Sequence, residues 1–132
     1  MKKFFICIFS FLSCTKIDEN GFKTFIIKEG KHRSGYRYKL WGVSDCGNNH
    51  MNNSIRFGWR WLNDSLEILW FRHLNGNFEF DKITSVEMNE IVYLDLELKD
   101  DKYVLGVNGV VVEVDRPCTQ DFKRYYLYPY FG

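Results

Sequence analysis

A chain of 132 residues is enough for one domain with one core and short for two. Its 18 basic and 17 acidic side chains nearly cancel, which argues against a nucleic-acid binder and against membrane attachment through charge. Aromatic residues make up 18% and alanine, the best helix former, is absent, so composition favours strands over a helical bundle.

The chain opens on "MKKFFICIFSFLSCTKIDEN". Lys2 and Lys3 precede an apolar run over residues 4–12, too short to span a bilayer as a helix and matched to the apolar segment of a signal peptide. The run stops at Ser13-Cys14. A small residue followed by cysteine resembles the lipobox of bacterial lipoproteins, although Phe11 and Leu12 depart from its usual pattern. The resemblance implies cleavage before Cys14 and acylation of that cysteine; several acyl chains anchor stably where one binds only marginally. Asp18 and Glu19 resemble the surface-export signal of Bacteroidota lipoproteins, or serve as a solvated tether. The expected organisation is a leader over 1–13, a polar tether over 14–21 and one domain over 22–132. The expected location is the outer membrane or cell surface, lipid-anchored, or the periplasm or exterior without the anchor.

Turn signals set out the strands that follow. In "RFGWRWLNDSLEILWFR" a turn at Asn63-Asp64 pairs Trp61 with Leu66, Arg60 with Glu67, Trp59 with Ile68 and Phe57 with Trp70. Side chains alternate along a strand, so Phe57, Trp59, Trp61, Leu66, Ile68 and Trp70 share a core face. Arg56, Gly58, Arg60, Glu67, Leu69, Phe71 and His73 share the other. A second turn at Asn75-Gly76 sets Arg72 opposite Glu79 and Phe71 opposite Phe80. Turns at Asp100-Asp101 and Asn108-Gly109 build a meander with one apolar face running from Val92 to Val114. The chain closes on "RYYLYPYFG", read as a strand with Tyr126, Tyr128 and Tyr130 on one side. Short antiparallel strands of this kind, each with one apolar face, predict an all-β fold: an antiparallel β-sandwich.

The blocks "KLWGVSDCGNNHMNNSIRFGWRWLNDSLEI", "VNGVVVEVDRPC" and "YYLYPYFG" resemble a family of uncharacterised Bacteroidota lipoproteins. The resemblance covers most of the chain from residue 22 and implies a concanavalin A-like jelly roll, the sandwich shared by legume-type lectins and many glucanases. Such a fold raises carbohydrate as a ligand by analogy alone. Family members carry further strands before "KLWGVSDC" and after "YPYFG"; if those are absent, the jelly-roll-like sandwich is incomplete.

Four cysteines reduce to two when Cys7 leaves with the leader and Cys14 takes lipid. Parity and an oxidising compartment then predict a disulfide between Cys46 and Cys118. A zinc site from Cys46 and His50 lacks a second short-spaced ligand pair, since His32 and His73 stand alone. Calcium on Asp45, Asn48, Asn49, Asn52 and Asn53 would have one charge only, and asparagine runs form turns more often than cages. No metal or other cofactor is therefore assigned. Glycoside hydrolysis needs two carboxyls across the sugar. Glu79 and Asp81 match the first two positions of the sandwich-glucanase motif, but Thr84 stands where the second acid belongs. The binding reading rests on Arg56, Arg60, Glu67, Phe71 and His73, which combine aromatic plates with fixed polar groups. Gly58 would open room above them. The bland reading of Arg60 and Glu67 is a routine cross-strand pair. The sequence thus predicts a membrane-anchored lipoprotein binding glycan without catalysis, with a polysaccharide hydrolase or lyase, or a structural or protein-binding envelope module, as alternatives.

Overall fold

The structure, a computed structural model, describes residues 4–8, 13–17, 23–27, 34–119 and 126–127. It is all-β, and no helix among the described residues is long and apolar enough to cross a membrane. The strands are β1 (Phe4–Ile8), β2 (Ser13–Ile17), β3 (Lys23–Ile27), β4 (Tyr38–Ser44), β5 (Asn53–Leu62) and β6 (Ser65–Leu74). There follow β7 (Asn77–Val86), β8 (Val92–Leu98), β9 (Lys102–Val107), β10 (Val110–Asp115) and β11 (Tyr126–Leu127). They form two antiparallel sheets. One has six strands in the order β1-β2-β3-β8-β9-β10, the other five in the order β11-β4-β5-β6-β7.

The hairpins take the register that their turns demand. Asn63 and Asp64 both sit at positive φ, 52° and 56°, as a two-residue turn compatible with strand twist requires. The pairs Trp61–Leu66, Arg60–Glu67, Trp59–Ile68 and Phe57–Trp70 form as expected. So do Arg72–Glu79 and Phe71–Phe80 beyond the Asn75-Gly76 turn, and Leu96–Leu105 and Leu105–Val112 in the meander. Apolar faces of both sheets then meet in a single buried cluster. Phe25, Ile27, Val92, Leu94, Tyr103, Leu105 and Val107 come from the six-stranded sheet, and Leu40, Ile55, Phe57, Trp59, Leu66 and Ile68 from the five-stranded one. The arrangement is β-sandwich-like. Tyr38 stacks on Trp59 with ring centroids 4.3 Å apart, and Trp41 lies 5.6 Å from Phe57, so these tryptophans are core.

Two irregularities shape the five-stranded sheet. The β4–β5 register shifts between Lys39 and Gly42, and the β6–β7 register between Ile68 and Leu69. At Gly42 a Cβ would lie 2.1 Å from the Ile55 carbonyl oxygen and 2.2 Å from the Arg56 Cβ, so only glycine lets β4 and β5 approach there.

The segments read as leader and tether also carry strand backbone: β1 and β2 pair with each other, and β2 continues to β3. The Cys14 side chain, the Asp18-Glu19 pair, His32, and the side chains of Tyr126, Tyr128 and Tyr130 lie outside the described residues.

Candidate functional site

The outward face of the five-stranded sheet holds an open groove of about 390 Å³. Ligand pockets occupy about 300–1,000 Å³, so this one is at the small end of that range. Gly35, Tyr36, Arg37, Lys39, Met51, Phe71, His73 and Phe78 line it. Strand alternation brings them there: Lys39 opposes Gly58, Gly58 opposes Leu69, and Phe71 and His73 follow at two-residue steps along β6. Phe78 faces His73 across the β6–β7 hairpin. The segment before β4 is tied down by the Gly35 N–H, which donates to the Trp61 carbonyl at 2.7 Å.

The aromatic rings form a connected floor. Phe71 and Phe78 have centroids 5.7 Å apart, Phe78 and Phe80 6.0 Å, and His73 and Phe78 5.2 Å. The Arg37 guanidinium lies 4.2 Å over the Phe80 ring, with Arg60 on it at 5.8 Å, in cation–π geometry. Phe78 remains 42% exposed, with the Arg37 guanidinium 5.9 Å over its ring.

Of the five expected ligand contacts, Phe71 and His73 line this groove, and Arg56, Arg60 and Glu67 do not. Arg56 is buried and donates to the Leu40 carbonyl at 2.6 Å; burial pushes its pKa down to about 10. Arg60 donates to Glu67 at 2.7 Å, and Lys82 reaches the other Glu67 oxygen at 3.3 Å. These bonds outweigh the burial that would raise the Glu67 pKa, and hold it below the usual carboxylate range. The cross-strand pair is thus structural. Gly58 does not open room, because a Cβ there would come 1.9 Å from the Phe71 ring: the phenyl already lies on the glycine. Periodicity could tell that these residues share a face, but not that the face is itself partly covered.

The asparagine-rich loop is a self-bonded turn. Asn49 Oδ1 accepts from the N–H groups of Met51 and Asn52, at 3.0 and 3.1 Å, and Asn53 Oδ1 accepts from the Asn75 N–H at 3.1 Å. Ser54 donates to the His50 carbonyl at 2.7 Å, and its hydroxyl lies 3.3 Å from His73 Nδ1. Cys46 and Cys118 form the expected disulfide, with Cα atoms 5.7 Å apart across 72 residues.

Beside the disulfide lies a buried cluster that sequence patterning did not find. Asp45 is fully buried, accepting from Tyr103 Oη at 2.6 Å and from Arg116 Nε and an Arg116 terminal nitrogen at 2.7 and 3.1 Å. Burial alone would raise the Asp45 pKa; the bonds from Arg116, Tyr103 and the Cys46 N–H outweigh it and hold it low. Burial and the same carboxylate drive the Tyr103 pKa up. Asp45, Cys46 and Cys118 come within 4.8 Å of one another, as metal ligands do. Both sulfurs are bonded to each other and the carboxylate is held by the arginine fork, so the trio is a staple between sheets. The two carboxyls that partly match the glucanase motif are each engaged: Glu79 is bonded to Arg72, and Asp81 accepts from the Lys82 N–H at 2.8 Å.

Comparison with known proteins adds no relative: no family model, no curated protein and no solved structure matches the chain.

Proposed function

We propose that the protein is a membrane-anchored lipoprotein whose β-sandwich-like domain binds carbohydrate in the groove of the five-stranded sheet, without cleaving it. The observation that carries the reading is the groove's make-up: the partly exposed aromatic residues Tyr36 and Phe78 beside the donors of Arg37, Lys39 and His73. Sugars stack their apolar ring faces on aromatic plates while hydroxyls take bonds from charged groups. No aspartate or glutamate is among the lining residues, whereas glycoside hydrolysis needs a pair of carboxyls. That favours binding over the hydrolase alternative.

The anchor suits this placement. Cys14, at the predicted cleavage point, lies on β2 opposite Ile26 of β3, in the six-stranded sheet. Acyl chains there would hold the domain by one sheet and leave the groove on the other. A concanavalin A-like jelly roll is the specific sandwich proposed. The experiment is a glycan array probed with wild type and Phe78→Ala, together with a reducing-end assay. Retention by wild type and at least tenfold weaker retention by the variant is expected. No retained glycan ends the carbohydrate reading, and new reducing ends turn it into a hydrolase.

A further inference from the structure

Among the described residues, the outward face of β8 to β10 is acidic and the groove on the five-stranded sheet is basic. On the six-stranded sheet Asp95, Glu97, Glu113 and Asp115 are exposed, and the lysine among them, Lys102, is bonded to Asp115. On the five-stranded sheet the groove collects Arg37, Lys39 and His73 and no carboxylate. Among the described residues neither Arg37 nor Lys39 forms an ion pair, and Glu67 on the same face is committed to Arg60 and Lys82. The groove's cations also disfavour one another. Burial, Arg56 and Arg37 lower the Lys39 pKa, and burial, Lys39, His50 and Arg56 lower that of His73. A chain whose overall charge is close to zero has thus gathered the positive charge of Arg37 and Lys39 at this groove.

Resting on the carbohydrate reading above, we propose that the groove binds an acidic sugar residue, its anionic substituent received by Arg37, Lys39 and His73 and its ring laid on Phe78. The shared chemistry is an oxyanion on a pyranose ring, either a uronate carboxylate or a sulfate ester. A guanidinium presents a planar fork that meets two such oxygens at once. The Phe80 ring, 4.2 Å from the Arg37 guanidinium, holds that group over the groove before the ligand arrives, which reduces the ordering cost of binding. Lys39 supplies a point charge from β4, and His73, on β6, a ring N–H donor. A neutral sugar would use the ring platform and leave the cations uncompensated.

The test is titration calorimetry of the full-length chain with trigalacturonate, its methyl ester, a sulfated galactotriose and neutral galactotriose, beside an array of neutral, uronate-bearing and sulfated glycans. Esterification removes the charge and keeps the ring. At least tenfold tighter binding of trigalacturonate or of the sulfated sugar than of the neutral pair is expected, and which of the two wins identifies the anion. Arg37→Ala and Lys39→Met should each cut that preference severalfold with an unchanged melting temperature, whereas Lys99→Ala, in the β8–β9 turn away from the groove, should leave it intact. Equal binding of charged and neutral sugars, or array binding confined to neutral glycans, overturns the acidic-sugar assignment while the carbohydrate reading stands. Retention of no glycan overturns both. Should either variant fail to fold, the wild-type comparison of acid with ester decides alone.

Discussion

His73 shows how far a single residue could be read from its strand. Alternation along "SLEILWFRHL" puts it on the face opposite the core, and it is there, half-buried against Phe78. What alternation cannot supply is its electrostatic company: Lys39 from β4, Arg56 from β5 and His50 from the asparagine-rich loop. Burial and these cations lower the His73 pKa from its ordinary 6.5. The unfolded chain therefore binds a proton at His73 more readily than the folded one, and stability falls as pH drops below 6.5 toward the folded value. Well above 6.5 this residue contributes no pH dependence. Urea midpoints measured at about pH 7.5, 6.5 and 5.5 should decline over the lower interval for wild type and decline less for His73→Gln. Equal slopes in the two proteins would remove His73 from the acid limb. Asp45 acts at lower pH and with the same sign, since its depressed folded pKa gives stability that is lost only as the carboxylate is protonated.

At the scale of elements, the hairpins were legible because two-residue turns leave no freedom in register. Asn63-Asp64, Asn75-Gly76 and Asn108-Gly109 each place their central residues at positive φ, and every cross-strand partner follows by counting outward. The register shifts at Lys39/Gly42 and at Ile68/Leu69 were not legible, since a bulge leaves no turn chemistry to read. The role of Gly58 was missed for a related reason. Glycine in a strand signals close approach, but the sequence does not say what approaches; here it is the Phe71 ring, from the residue diagonal to it on β6. Gly58 and Gly76 should therefore fail differently on mutation to alanine. At Gly76 nothing lies within 4 Å and the cost is backbone strain at φ +86°, about 1–2 kcal/mol. At Gly58 the new methyl meets Phe71 at 1.9 Å and the Tyr38 carbonyl oxygen at 2.7 Å, an overpacking cost of about 1–3 kcal/mol of which the ring carries part. Adding Phe71→Leu should recover part of the loss at Gly58→Ala and none at Gly76→Ala, as read from urea denaturation. Equal behaviour of the two pairs would mean that the ring is not what excludes a side chain at Gly58.

For the whole molecule, the decisive connection is the one between sheets, and there the sequence showed half. Parity and compartment pointed to Cys46–Cys118, because cysteines are countable; Asp45 and Arg116 are 71 residues apart and carry no pattern that joins them. Yet both links span the same gap. Cys46 and Asp45 follow β4 of the five-stranded sheet, and Arg116 and Cys118 follow β10 of the six-stranded sheet. Arg116 also donates to the Lys99 carbonyl at 2.7 Å, and Tyr103 reaches Asp45 from β9, so the carboxylate is where both sheets are tied. Removing the disulfide by Cys46→Ser with Cys118→Ser should cost about 4 kcal/mol on the chain-entropy account. Replacing Asp45 by Asn strands the buried Arg116 charge, and breaking a buried pair from one side costs about 3–5 kcal/mol. Sites that share no partners add within about 0.5 kcal/mol, but these share one position and one geometry. With the disulfide gone, the sheet ends can separate and water can reach Arg116, so Asp45→Asn should cost at least 1 kcal/mol less in the disulfide-free protein than in wild type, a coupling within the range of about 0.5–3 kcal/mol known for contacting residues. The measurement is a double-mutant cycle by urea denaturation, with constant slope as the check that the unfolded state is comparable. Strict additivity would show the ion pair and the disulfide to be independent, and the staple to be two fastenings that happen to be neighbours.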